Sequence, residues 1–321
     1  MSENAKYIRH KINSSEFREF CQKEFSKDVL KLEMLRKKKI KLTVFFTLAL
    51  IVLFITILCL CSEYNPHLLS RDFFVPLLCF IFLLLFRATY LYLLSYKKDA
   101  KKIIYPKLFS FIGKFRILDT KTEEKRIKSY VKSLNLFPLF NSFTCDDVLE
   151  GTYKGIPVSL SEIHLKRVSH SGKCSSSAKI FKGVLLTFKS FKKIETITVI
   201  RQNAIINLFD TSSSNHIELE SQEFEDLYDV LADDQIEARY LITPAFMERM
   251  VDYYCDNEAG NISLSFEQGN VNIAIHSDKN WFEVPLSRPA TEMMIYKKIL
   301  IEIISILTII DTLKLDSEVG L

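Results

Sequence analysis

Twenty consecutive residues without a charge, LTVFFTLALIVLFITILCLC at 42–61, interrupt an otherwise mixed polar and apolar pattern. At 1.5 Å of rise per residue, a helix of that length matches the roughly 30 Å hydrocarbon core of a bilayer. A second apolar stretch, 73–96, is broken only by Arg87, and the short link SEYNPHLLSRD between the two predicts an antiparallel transmembrane hairpin over 42–96. A long polar, charged segment precedes the first stretch and no small-residue cleavage site follows it, which argues against a cleaved signal peptide. Residues 1–41 predict a basic amphipathic helix. Asn13, Ser14, Ser15 and Glu16 form a capping sequence, and Phe17, Phe20, Cys21, Val29, Leu32 and Leu35 supply part of an apolar face. Such a helix suits either an anionic leaflet or packing on a soluble domain.

After a juxtamembrane linker or helix at 97–130, broken at Pro106, the period changes. Two-residue alternation at 148–168, 180–188, 194–200, 216–219 and 236–242 predicts strands, the first divided by the turn Tyr153-Lys154-Gly155-Ile156-Pro157. Residues 262–266 and 271–275 flank Gln268-Gly269-Asn270 and predict a hairpin. Ser221 is placed to cap a short helix through Phe224, Leu227 and Tyr228. Thr243 as N-cap, with Pro244 in the first helical position, opens a helix at 245–254 with Phe246, Met250 and Tyr253 on one face. A last helix at 290–315 contains ILIEIISILTII (Ile299 through Ile310), apolar nearly all round with Glu302 as its one charge. It is too short to span a bilayer, so it predicts burial on several sides, by core packing or as the contact of a homo-oligomer. The expected fold is α+β: a two-helix hairpin followed by a sheet-rich cytoplasmic domain, 131–321, with a long C-terminal helix.

Composition narrows the class. An apolar share of 48% with 26% charged residues excludes a disordered chain, and 8 Gly with 8 Pro exclude collagen-like design. The net charge of +4 conceals three unlike blocks: +9 over 1–104, +10 over 105–201 and −15 over 202–321. Lys27, Lys31, Arg36, Lys37, Lys38, Lys39 and Lys41 precede the first span, and Lys97, Lys98, Lys101, Lys102 and Lys107 follow the second, against Arg71 alone in the link. The positive-inside rule then predicts a multi-pass protein of the inner (plasma) membrane with both termini cytoplasmic. Arg36, Lys37, Lys38, Lys39, Lys41, Lys97, Lys98, Lys101 and Lys102 are expected to meet headgroups. Arg87, late in its span, is expected to snorkel beside Tyr90, Tyr92 and Tyr96. The acidic last third is expected to face the cytosol. Seven scattered cysteines, an odd number, fit a reducing compartment rather than a disulfide framework.

Signatures of chemistry are sparse. The eight glycines never occur as Gly-x-Gly, which removes the usual dinucleotide and P-loop motifs, and neither His-Glu-x-x-His nor Gly-x-Ser-x-Gly occurs. His164, His170 and Cys174, in HLKRVSHSGKCSSSA, are the candidates for a metal site or a thiol nucleophile with an imidazole base, with Cys145 and His216 elsewhere. Their spacing fits no standard metal pattern, and the Ser-, Gly- and Lys-rich stretch 169–178 predicts a flexible loop. Lys189-Ser190-Phe191-Lys192-Lys193 puts one aromatic among cations, but attraction to an anionic leaflet accounts for the basic middle block without nucleic acid. No catalytic residue, cofactor or metal is expected.

The strings Phe181-Lys182-Gly183-Val184-Leu185 and Asp234-Gln235-Ile236-Glu237-Ala238-Arg239-Tyr240-Leu241-Ile242-Thr243-Pro244-Ala245-Phe246-Met247-Glu248-Arg249 resemble the bacterial domain-of-unknown-function family 3137, as does Glu220-Ser221-Gln222-Glu223-Phe224 in a domain behind a membrane hairpin. The resemblance implies a bacterial membrane protein and no assigned activity. Read as a strand, the longer string puts Glu237 and Arg239 on one face as a candidate recognition surface. The function expected is a membrane-anchored interaction module that recognises a protein partner or a lipid headgroup. The alternatives are a thiol or metal hydrolase built on Cys174, His170 and His164, and a structural subunit of a membrane assembly that uses the helix at 299–310.

Overall fold

A computed structural model describes residues 3–64, 74–171, 174–203, 216–256 and 261–316. The N-terminal helices are α1 (Glu3–Asn13), α2 (Ser15–Phe20), a π-helical turn (Cys21–Phe25), α3 (Ser26–Tyr64) and α4 (Phe74–Ser110). Then follow β1 (Arg116–Ile117), α5 (Thr120–Ser133), β2 (Ser142–Tyr153), β3 (Ile156–Ser171), β4 (Cys174–Lys189) and β5 (Thr198–Gln202). The remainder comprises α6 (Gln222–Leu227), β6 (Tyr228–Ala232), α7 (Gln235–Leu241), α8 (Pro244–Asp256), β7 (Ile262–Glu267), β8 (Asn270–His276) and α9 (Met293–Thr312). The fold is α+β. By its internal contacts the chain forms two units. One holds Met1–Ser14, Leu108–Phe282 and Lys298–Leu321; the other holds Ser15–Lys107 and Glu283–Lys297.

The second unit contains two helices long and apolar enough to cross a membrane. At 1.5 Å per residue, the 39 residues of α3 extend about 58 Å, well beyond a bilayer core. Phe45, Leu53, Leu83 and Phe86 are exposed on the outside of the pair, a surface that hydrocarbon solvates at no cost and water does not. Phe54 and Phe82 pack with ring centroids 4.9 Å apart. Below the apolar stretch, Lys39 Nζ donates to Asp99 Oδ2 and Ser95 Oγ, each at 2.6 Å. The segment 283–297 docks on the charged base of these helices. Glu33 Oε2 accepts from the Ala290 N–H at 2.7 Å, while Arg36 donates to Glu33 and to the Leu286 carbonyl at 3.0 Å. Lys97 pairs with Glu283 at 2.8 Å, and Phe25 stacks on Tyr296.

The first unit is a sheet between helices. One antiparallel sheet runs in the order β1-β2-β3-β4-β8-β7-β5-β6. On one face Ile127 and Val131 of α5 join Val148, Ile163, Leu165, Phe181, Leu185 and Ala274 in a continuous core. Alternation turns Leu186, Ile273 and Ile275 to the opposite face. There Phe246 of α8 meets Phe266 of β7 edge-on at 6.3 Å. Lys154 (φ +51) and Gly155 (φ +82) make the two-residue turn between β2 and β3, and Gln268 (φ +50) and Gly269 (φ +73) make that between β7 and β8. Gly183 has a different role: a Cβ there would lie 1.9 Å from the Ile275 carbonyl oxygen, so only glycine lets β4 approach β8 at this point.

Several expectations are corrected. Residues 236–242 are not a strand but α7 and its cap, because Asp234 Oδ1 accepts from the N–H groups of Ile236 and Glu237 and starts a helix. Of 216–219, only His216 makes a ladder contact, an isolated bridge to Leu231. Stretch 169–178 is largely the end of the long β3–β4 hairpin, paired from Ser169 with Ser176 to Ser171 with Cys174; Gly172 and Lys173 lie outside the described residues. The predicted capping sequence stands between two helices: α2 opens at Ser15, and Ser14 Oγ donates to the Lys11 carbonyl at the end of α1. Ile299, Leu300, Ile303, Ile304, Ile306, Leu307, Ile309 and Ile310 are buried within the protein. Core packing, one of the two readings offered for the helix at 299–310, therefore accounts for these side chains.

Candidate ligand-binding cleft

Within the sheet unit, a cleft of about 680 Å³ opens where α1, α8, the end of β8 and the C-terminal part of α9 meet. Its floor is a short irregular strap, 277–282, held from two sides by buried carboxylates. Glu162 on β3 accepts from the Trp281 N–H at 3.0 Å, and Glu302 on α9 accepts from the Phe282 N–H at 2.9 Å. Phe282 has φ +52, a conformation that costs free energy for a bulky residue and that these two acceptors offset. Glu302, the one charge in the apolar helix, is explained by this strap.

The strap places Lys279 and Trp281 in the lining. Trp281 is 6% exposed, and its indole N–H has no acceptor among the described residues. The Lys279 ammonium lies 3.6 Å from the centroid of the Trp281 ring and 3.9 Å from Glu302 Oε1. Burial lowers the pKa of Lys279, against the opposing pull of Glu302. Helix α8, opened by the Thr243 cap (Phe246 N–H to Thr243 Oγ1, 3.3 Å) and Pro244, brings Arg249, Asp252 and Asp256 to the same wall at helical spacing. Burial also lowers the pKa of Arg249. From α1, Arg9 Nη2 donates to Ser305 Oγ at 3.1 Å, while its Nε is buried without an acceptor among the described residues. Thr308 and Thr312 complete the α9 wall.

The residues singled out by motif lie elsewhere. His164 and His170 share strand β3, six residues and so about 20 Å apart. Cys174 pairs in register with Ser171, which sets it farther still from His164; the side chains of His170 and Cys174 lie outside what is described. These three residues are not brought together. Burial lowers the His164 pKa, and Lys166 and Lys182 reinforce the effect. The Cys145 thiol is pushed up to about 12 by burial, which makes it a poor nucleophile. His216 Nδ1 is bonded to Asp229 at 2.7 Å. Among the described residues no group of three His, Cys, Asp or Glu side chains is arranged to hold a metal.

Glu237 and Arg239 are occupied within the fold. The Glu237 carboxylate accepts from the Glu195 N–H at 2.8 Å, the Thr196 N–H at 3.1 Å and the Thr196 hydroxyl at 2.9 Å, while Arg239 donates to the Glu218 carbonyl at 2.9 Å. Of the basic residues near the spans, Arg36, Lys39 and Lys97 have carboxylate partners inside their own unit, whereas Lys38, Lys41, Lys98, Lys102 and Arg87 are exposed.

Residues 179–315 match the family described as Protein of unknown function (DUF3137). The resemblance carried by Phe181–Leu185 and Asp234–Arg249 thus holds over this segment, which contains every cleft residue except Arg9. The DUF3137 description assigns no activity. No curated protein matches the chain. A crystal structure of the mycobacterial trehalose monomycolate transport factor A, TtfA, is similar at 10% identity over 57% of this chain and 93% of its own, with a TM-score of 0.29. Superposition that loose carries no functional argument.

Proposed function

We propose that this protein is a membrane-anchored, non-catalytic binding module. Its two apolar helices fix it in the inner membrane as a cytoplasm-facing hairpin, and its sheet unit recognises a lipid headgroup or a partner through the cleft. The observation that carries this reading is the lining: cations, carboxylates, hydroxyls and a buried indole donor face one cavity. A cavity of that volume falls within the usual range for small-ligand sites. Donors and acceptors of that kind recognise; they do not form the nucleophile, base and orienting group that acyl or phosphoryl transfer requires. The excess of Lys and Arg on both sides of the hairpin and its near absence from the link supports cytoplasmic termini, and the exposed Lys38, Lys41, Lys98 and Lys102 are suited to anionic headgroups.

Native mass spectrometry of the full-length protein, released from its own membrane in mild detergent, tests the reading. A small-molecule or lipid adduct is expected, and Thr308→Trp, which fills the cleft, should remove it. An adduct that survives this substitution, or a bare protein mass under every release condition, would overturn the assignment of the cleft.

A further inference from the structure

The cleft lining carries both signs of charge, with Arg9, Arg249 and Lys279 against Asp252 and Asp256. Ion pairs that serve the fold satisfy one another closely, as Lys154 does with Asp311 at 2.6 Å and Asp316 at 3.0 Å. The cleft differs, because several of its donors are unspent. The indole N–H of Trp281 and the Nε–H of Arg9 are buried without an acceptor among the described residues, and Lys279 stands 3.9 Å from Glu302. A desolvated N–H is costly unless something accepts from it, so the arrangement calls for a ligand rich in acceptors.

We propose that the cleft binds a small phosphate ester that also carries a hydroxyl or ammonium group, chemistry shared by a phospholipid headgroup and a free soluble phosphoester. The proposal rests on reading the cleft as a ligand site and names what that site takes. Lys279, Arg249 and the Trp281 N–H donate to phosphate oxygens, and Arg9 adds charge from the α1 side. Three cations and an N–H supply more donors than the two oxygens of a carboxylate accept in good geometry, whereas a phosphate ester offers more acceptor atoms and charge-assisted bonds to guanidinium. Asp252 and Asp256, one helical turn apart on α8, accept from the hydroxyl or ammonium group of the same ligand. A bare anion would leave Asp252 and Asp256 without a donor, and a neutral polyol would leave the buried N–H groups of Trp281 and Arg9 without an anionic acceptor. The cavity, about 680 Å³, exceeds what inorganic phosphate fills and suits a ligand with both groups.

Trp281 is the only tryptophan in the chain, so intrinsic emission from the full-length protein reports on this cleft alone. The protein in dodecyl maltoside would be titrated with glycerol 3-phosphate and with phosphoethanolamine, with glycerol as the neutral control. A parallel arm adds phosphatidylglycerol or phosphatidylethanolamine as mixed micelles, with diacylglycerol as the phosphate-free control. A saturable emission change is expected with phosphate-bearing probes and none with the controls, and Lys279→Met should weaken binding by about tenfold or more. Arg249→Met makes the same prediction should Lys279→Met fail to fold, as judged by circular dichroism. A response to soluble esters assigns a free phosphoester as the source; a response confined to the phospholipids assigns the headgroup. Equal responses to glycerol or diacylglycerol, full affinity in folded variants, or no response to any phosphate-bearing probe would overturn the proposal. An adduct lost in Thr308→Trp but lacking phosphate would sink the phosphate assignment alone and leave the binding-module reading standing.

Discussion

Glu237 illustrates how a charged residue inside a distinctive string serves the fold. Its carboxylate collects three donors from Glu195 and Thr196, so Glu237→Ala is expected to cost about 2 kcal/mol of stability, in line with hydrogen bonds to a charged group. Chemical denaturation of the variant measures this, and unchanged stability would contradict it. Gly183 makes a sharper prediction. With the Ile275 carbonyl oxygen 1.9 Å from where a Cβ would sit, Gly183→Ala must push β4 from β8 and should destabilise by about 3 kcal/mol, readable as a lowered melting temperature. Neither role was visible along the chain, since both depend on partners dozens of residues away. The cleft was legible only in fragments. Arg249 closed the distinctive string and Glu302 stood out as a lone charge, but Lys279 and Trp281 lie in a stretch without periodicity, where side-chain spacing predicts nothing.

At the scale of elements, long uniform patterns were read correctly, and short ones where a turn or a cap residue marked them. An uncharged run of twenty residues admits one structure in a bilayer, and the β7–β8 hairpin was fixed by its Gln268-Gly269 turn. The seven residues of α7 alternate as Ile236, Ala238 and Tyr240, yet Ile236 is 81% exposed while Ala238 and Leu241 are buried, which is a helical face. Over so short a span the two periods differ by one or two positions, and the Asp234 cap decides between them. The β3–β4 tip was misread for another reason: its Ser and Gly residues favour turns, but cross-strand pairing with a long partner extends the ladder regardless. The Glu33–Arg36 contact makes an element-scale prediction about pH. The Arg36 guanidinium bonded to Glu33, with the Ala290 N–H adding to it, holds the carboxyl below the usual range. A depressed carboxylate stabilises fully above its unfolded pKa, about 4.3, and that stabilisation is lost as pH falls through the lower folded value. Glu33→Gln should therefore lower the melting temperature of the detergent-solubilised protein at pH 7, and the gap to wild type should narrow at low pH. A gap that widened on acidification would contradict this.

For the molecule as a whole, the modest net charge resolves into a pattern that the sheet preserves. Strands β1 to β4 come from the basic middle block and β6 to β8 from the acidic last block, while β5, which crosses the boundary between the blocks, lies between β7 and β6. The two blocks thus share one sheet and are not separate lobes, a point that no count along the chain reveals. What remained legible was the pair of long apolar helices and the α+β class, because both follow from the hydrophobic pattern; the cleft did not, because it is assembled from α1, α8, β8, α9 and an irregular strap. The central claim is that this cleft is a ligand site of a membrane-anchored module. It is tested most directly by placing a photo-crosslinking amino acid at Ser277 in the full-length protein, irradiating intact membranes, and comparing the result with the same probe at Lys125 on the exposed face of α5. The account predicts a discrete small-molecule or lipid adduct from position 277 and none from 125. Equal labelling at the two positions, or none at 277, would contradict it.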